Sequence, residues 1–234
     1  MNKSLRRSKE RGLTKTHWLH SAHSFSFADY YDPDYMGFSV LRVINQDIID
    51  PNQGFGMHSH HNMEILTYVL SGTLQHKDSL GNESLIKPNE LQRMSAGSGI
   101  RHSEWNPSFT EDCELLQIWI LPESEGGTPG YQQAYFSSPK VGAWQLLASP
   151  NAEQHSLSIK QSMKLYRANL EEGAELCYVP TDNRALWLQV VKGRLQANEH
   201  ELSEGDGLGI NIALKLKGIS ASEVLLFDLP AQPA

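Results

Sequence analysis

The chain reads as an all-β protein, a sandwich or barrel. Runs rich in β-branched and aromatic residues recur between turn signals, eighteen glycines and eleven prolines punctuate its 234 residues, and long amphipathic helical patterns are scarce. In chain order, Phe38 to Ile44, Glu64 to Leu70 and Leu115 to Ile120 each predict a strand in the first half. Leu186 to Val191 and Val224 to Phe227 do so in the second. Such residues suit a pleated, packed surface. The segment Pro122 to Pro129, PESEGGTP, follows the third run and carries the Gly and Pro of a boundary. It predicts a first domain over 1–125, a linker over 126–140 and a second domain over 141–234.

The second half echoes the first. Leu70-Ser71-Gly72-Thr73-Leu74-Gln75 is matched by Val191-Lys192-Gly193-Arg194-Leu195-Gln196 at an offset of 121. Pro88-Asn89-Glu90 is matched in kind by Glu204-Gly205-Asp206 at an offset of 116, as if one hairpin were five residues shorter. Duplicated supersecondary units give this pattern.

With 39% hydrophobic residues the chain can furnish a core, and a net charge of -7 offers no basic field for nucleic acid. Basic residues Lys3, Arg6, Arg7, Lys9, Arg11 and Lys15 open the chain, but no apolar segment follows them as a signal peptide would require. No stretch is apolar enough to span a membrane as a helix. Cys113 and Cys177 lack CxxC spacing and read as buried thiols of a cytoplasmic protein.

Two ligand-x-ligand pairs stand out: His58-Ser59-His60 and His102-Ser103-Glu104. In a strand, residues i and i+2 project from one face, about 7 Å apart. Each pair can bite one ion, and two such strands side by side would supply three imidazoles and a carboxylate. That donor set suits iron, copper, nickel, manganese or zinc and leaves coordination positions open for chemistry. Gly54-Phe55-Gly56-Met57 delivers the chain to the first pair, and the 42 residues from His60 to His102 leave room for two further strands.

His61 alternates to the opposite face and is read as surface or as a partner of a ligand. Glu64 shares the face of His60 and either ligates or accepts a hydrogen bond from a ligating imidazole, and Asn106 stands similarly to His102. His20 and His23 flank Phe25-Ser26-Phe27, which reads as core, with pocket lining the alternative. His17, His76, His155 and His200 read as solvated residues without function. Phe55, Met57 and Trp105 adjoin ligands in sequence and either pack or meet a flat aromatic substrate.

The first half resembles the pirin-like proteins of the cupin superfamily, the bacterial quercetinase type most of all. The resemblance rests on His23-Ser24-Phe25-Ser26-Phe27, Tyr30-Tyr31-Asp32-Pro33, Met36-Gly37-Phe38, Leu41-Arg42-Val43-Ile44-Asn45, His58-Ser59-His60, Met63 to Gly72 and Met94 to Glu104. It implies a bicupin, two β-barrel or jelly-roll domains in one chain, with metal in the first only. Its metal ligands map onto His58, His60, His102 and Glu104, leaving Glu64 outside the ligand set. Projecting the pairs through the repeat lands on Val179 and Thr181, then Gly218 and Ser220, which are no ligand set. Ser59 stands where the family commonly has proline, and Asn89 where it has glycine. Asn tolerates the left-handed backbone such a turn needs.

The resemblance further implies cleavage of flavonols such as quercetin by dioxygen with loss of carbon monoxide. One divalent transition ion is the cofactor: iron first, with nickel, cobalt, manganese, copper or zinc accommodated. Glu104 is then either a plain ligand or the base that takes the flavonol proton. The expected partners are flavonol and dioxygen, with no nucleic acid, no membrane and the chain a monomer. The alternative is a pirin-type regulator whose protein-binding surface responds to metal oxidation state.

Overall fold

The computed structural model describes residues 5–231, so Lys3 and the extreme ends of both expected domains lie outside the described residues. No α-helix occurs among them. The first half forms β1 (Leu5–Arg6), β2 (Gly12–Lys15), β3 (Leu19–His23), β4 (Leu41–Ile49), β5 (Gly54–His60) and β6 (Glu64–Ser71). It continues with β7 (Leu74–Asp78), β8 (Glu83–Ile86), β9 (Glu90–Ser95), β10 (Ile100–Trp105), β11 (Cys113–Ile120) and β12 (Gly130–Tyr135). The second half forms β13 (Gln145–Ser149), β14 (Leu157–Ser158), β15 (Lys164–Leu170), β16 (Glu175–Tyr178) and β17 (Arg184–Lys192). It closes with β18 (Arg194–Ala197), β19 (His200–Ser203), β20 (Gly207–Ile210), β21 (Leu214–Gly218) and β22 (Ser222–Pro230).

Each half pairs a large sheet with a small one. The first has the order β12-β9-β6-β11-β4-β3-β2 over β5-β10-β7-β8, and the second β1-β20-β17-β22-β15-β13-β14 over β16-β21-β18-β19. The central orders β9-β6-β11-β4 and β20-β17-β22-β15 are the same topology twice, as are the two four-stranded sheets. The fold is therefore an all-β bicupin.

The continuous apolar runs arise because the central strands are buried on both faces. On β6, Leu66 and Tyr68 join a core cluster shared with the second half, while Ile65 and Val69 turn into the first barrel. On β11, Leu116, Ile118 and Ile120 face the shared cluster, and Cys113 and Leu115 the barrel interior. β17 and β22 repeat this: Trp187, Leu225 and Phe227 meet the first half, and Leu186, Leu188, Val224 and Leu226 fill the second barrel.

The repeated glycines hold equivalent turns. Gly72 has φ +74° and Gly193 φ +81°. A Cβ there would lie 2.3 Å from the carbonyl oxygen of Asp112 and 2.2 Å from that of Ala221, respectively. Asn89 and Gly205 likewise share positive φ, +68° and +80°.

Two boundaries differ from the expectation. Within 126–140, β12 pairs residue by residue with β9 and so belongs to the first sheet, not to a linker. The Gly- and Pro-bearing stretch before it is only the connection from β11. At the other end, β1 pairs with β20 of the second sheet, a long-range contact that composition does not reveal. Cys113 is buried as expected, but Cys177 is exposed, because it lies on β16 at the edge of its sheet.

Candidate metal centre

β10 lies between β5 and β7, and this neighbourhood assembles the donors. His102 is directly opposite His58, and Glu104 is opposite Phe55. Two residues on β10 thus span three on β5, placing one extra residue around Gly56-Met57. Such a bulge re-aims side chains, and the two glycines of this stretch suit it. The ring centroids of His58, His60 and His102 lie 4.4 to 4.9 Å apart, and their ligand atoms all fall within 4.8 Å of one another. Glu104 groups at that separation with His102 and His76 instead of completing the triple-imidazole set.

Each ring is prepared differently. His58 Nδ1–H donates to the carbonyl of Gly56 at 2.8 Å, which leaves Nε2 as the lone-pair nitrogen. His102 is buried with neither ring nitrogen hydrogen-bonded. Burial, with His102 and His58 adding to it, pushes His60 down to about 4. Burial, with His58 and His76, pushes His102 down to about 3. Both imidazoles are therefore neutral near pH 7 and offer lone pairs, the form a metal ion requires. Orphaned nitrogens converging with a carboxylate fit a divalent transition ion.

Glu104 Oε2 accepts from the Gln117 side-chain amide at 2.7 Å, and Oε1 from the Thr67 hydroxyl at 3.4 Å. Thr67 and Gln117 are themselves bonded at 2.9 Å. Both occupy inward positions of otherwise apolar strands, β6 and β11, and hold the carboxylate in one orientation.

His58, His60 and Glu104 border a cavity of about 320 Å³ lined also by Phe27, Phe55 and Trp119 and by Thr14, Ser21, His23, Asn45 and Asp47. Trp119 stands edge-on to His60 at 4.9 Å, and its indole N–H is buried without a partner. His23 Nδ1–H donates to Asn45 Oδ1 at 2.8 Å, and its Nε2 accepts from the Thr14 hydroxyl at 2.8 Å. The Ser21 hydroxyl donates to Asp47, whose carboxyl is pushed up to about 7 by burial and by the charge of Glu104.

Several residues fall elsewhere than their sequence positions suggested. Glu64 accepts from the Ser95 hydroxyl at 2.9 Å and the Lys160 backbone N–H at 3.2 Å, so it ties the halves together. Asn106 donates to the carbonyls of Ile49, Asp50 and Glu111, bracing a loop. His61 is exposed, as is His20, while His23 lines the cavity. Phe55 lines the cavity with Trp18 packed on it at 5.0 Å, whereas Met57 is exposed. His76 is not solvated but buried, on β7 beside β10 with Tyr131 stacked on its ring. Thr67, Gln117, Asp47 and Trp119 were missed. The available signal was a polar or aromatic residue at every second position of a strand otherwise apolar.

In the second barrel the projection through the repeat is out of register. Gln75 pairs with Trp105 and its repeat partner Gln196 with Lys217, so the offset on this strand is 112. Leu214 and Leu216 therefore stand where His102 and Glu104 do, and Tyr178, opposite Leu214, stands for His58. Leu214 and Leu216 are buried core of that barrel, with Tyr178 packed against them. Val179 and Thr181 lie beyond the end of β16.

The comparisons agree with this architecture. The pirin family profile matches residues 5–120, and one described as quercetinase C-terminal cupin domain matches 146–229. A quercetin 2,3-dioxygenase of Escherichia coli strain K12 is 51% identical over 97% of this chain and 98% of its own length. A pirin-like protein of Caulobacter vibrioides is 38% identical over 90% of this chain and 92% of its own. The crystal structure of the bacterial pirin YhhW from Escherichia coli in complex with nickel(II) superposes with a TM-score of 0.93 at 51% identity, covering 97% of this chain and 98% of that one. A twofold-repeated barrel whose first copy gathers imidazoles around a cavity, matched along nearly its whole length in this way, belongs to the pirin family.

Proposed function

We propose that the chain is a metal-dependent dioxygenase of the quercetin 2,3-dioxygenase type, opening the central ring of flavonols with dioxygen and releasing carbon monoxide. The observation that carries the reading is the convergence of His58, His60 and His102 on one another, with His58, His60 and Glu104 bordering a cavity lined by aromatic rings. The names of the 51% identical relatives support the same activity. One divalent transition ion would be held by those imidazoles with Glu104. When bound, it supplies positive charge that favours the flavonol 3-oxygen as an anion, and a path for electrons to dioxygen.

The protein's own residues do the rest. Phe27, Phe55 and Trp119 form the apolar walls for a flat ring system and exclude water. Asn45, Asp47 and Ser21 in the same cavity offer donors and acceptors to a hydroxylated ring. Gln117 and Thr67 aim the carboxylate of Glu104, which takes the proton of the 3-hydroxyl. The chain works as a single copy, since the second barrel covers the outer face of the first.

The test is turnover of quercetin by the metal-loaded protein and by His60→Ala and Glu104→Ala. Both variants are expected to remain folded and to lose activity. A Glu104→Ala protein with undiminished turnover would sink the assigned proton transfer.

A further inference from the structure

His76 is a built donor to which the reading above gives no task. It lies on β7 directly opposite Glu104 and is fully buried. Its Nε2–H donates to Asp78 Oδ2 at 3.1 Å, so Nδ1 carries the lone pair, and that atom is buried without a hydrogen-bond partner. Asp78 is fixed in turn by the backbone N–H groups of Leu80 and Asn82 and by the Asn82 side-chain amide. A carboxylate on the remote nitrogen is the arrangement that sets the tautomer and aims the lone pair of a metal-ligating imidazole.

The lone pair has company. Ligand atoms of His76, His102 and Glu104 all lie within 4.8 Å of one another, and all three side chains are buried. The rings of His76 and His102 are 5.4 Å apart, and both nitrogens of His102 lack partners. Tyr131 stacks on the His76 ring with centroids 4.8 Å apart, which restrains its orientation.

We propose that His76, His102 and Glu104 form a second, inner position for a divalent transition metal ion, sharing His102 and Glu104 with the outer position at His58 and His60. The inference rests on the reading of this region as a metal centre. Because two donors are shared, one ion occupies one position at a time. In the outer position it faces the cavity, and in the inner one it is enclosed by β7 and β10 and screened from a substrate. The shift between them exchanges two partly exposed imidazoles, His58 and His60, for one buried imidazole, His76.

Cobalt(II) titration, followed by visible absorption and by metal analysis after gel filtration, tests this. The proteins compared are wild type, His58→Ala/His60→Ala, and that double variant with His76→Phe, which keeps a ring against Tyr131. The double variant is expected to retain one cobalt per chain with a changed visible spectrum. Adding His76→Phe should weaken binding by about a hundredfold or more, since losing a ligand outweighs losing a group behind one. A folded double variant that binds no cobalt, or whose affinity is untouched by His76→Phe, overturns the proposal. Should these variants unfold, anomalous diffraction from wild-type crystals soaked in zinc decides. Density about 2.1 Å from His76 Nδ1 supports the inner position, and density at the outer imidazoles alone overturns it. A wild-type chain that binds no cobalt would overturn the metal centre itself, whereas intact outer binding with any negative result above overturns the inner position alone.

Discussion

Asp47 is a carboxyl buried in the cavity wall. Its carboxyl is pushed from 3.8 up to about 7 by burial first, with Glu104 adding to it and Ser21 opposing. Between those values the folded chain holds a proton that the unfolded chain has released. This group's stabilisation is therefore complete below about 3.8 and lost as the pH rises through about 7. Asp47→Asn removes the conflict while keeping the acceptor for Ser21. Denaturation at pH 8.5 should find it more stable than wild type, by up to about 3 kcal/mol, with the advantage fading toward pH 5. His60 and His102 have the opposite sign. Their pKa values of about 4 and 3 are depressed, so the stability they contribute is present above 6.5 and lost as the pH falls through the folded values. In metal-free protein, nitrogen-15 NMR should find both rings neutral at pH 5.5. The convergence of His58, His60 and His102 was legible in the sequence because strand geometry pairs i with i+2. His76-Lys77-Asp78 has the same spacing, yet it is flanked by Gln75 and Ser79, and its burial, with Tyr131 of β12 on the His76 ring, depends on strands distant in sequence.

At the scale of elements, every apolar run read from the sequence lies within or overlaps a central strand, and burial on both faces explains why those runs were continuous and not alternating. Shorter strands such as β5 and β10 were betrayed by their donors and not by hydrophobicity. The stretch holding β12 was masked by its polar composition, Tyr131-Gln132-Gln133, which suits the edge of a sheet. The Leu70-to-Gln75 repeat was legible because Gly72 and Gly193 are required by the backbone itself. Gly72→Ala and Gly193→Ala combine a positive φ with a close carbonyl. Each should cost about 1–3 kcal/mol in urea denaturation, with Gly193→Ala leaving the metal-bearing barrel's cavity unchanged. The ligand projection into the second barrel failed because a loop between β20 and β21 is shorter, and loop lengths carry no register signal.

At the scale of the whole molecule, the two large sheets face each other across one core, and a buried cation clamps them. Arg167 on β15 donates to Tyr68 at 3.1 Å and Asn89 at 2.9 Å in the first half, and to the carbonyls of Phe136 and Ser137. Arg167→Met strands several buried acceptors and should cost about 3 kcal/mol or more, read as a lowered calorimetric transition. None of this was visible in the sequence, since it joins residues 30 to 99 positions apart. Metal-stripped protein is reconstituted without oxygen with iron, nickel, cobalt, manganese or copper in turn, and the quercetin absorption band is followed on admitting dioxygen. Metal-dependent decay with carbon monoxide released, absent in His60→Ala, is the expected result. Stoichiometric metal in the triple-imidazole site with no decay under any ion would rule out flavonol cleavage at this centre.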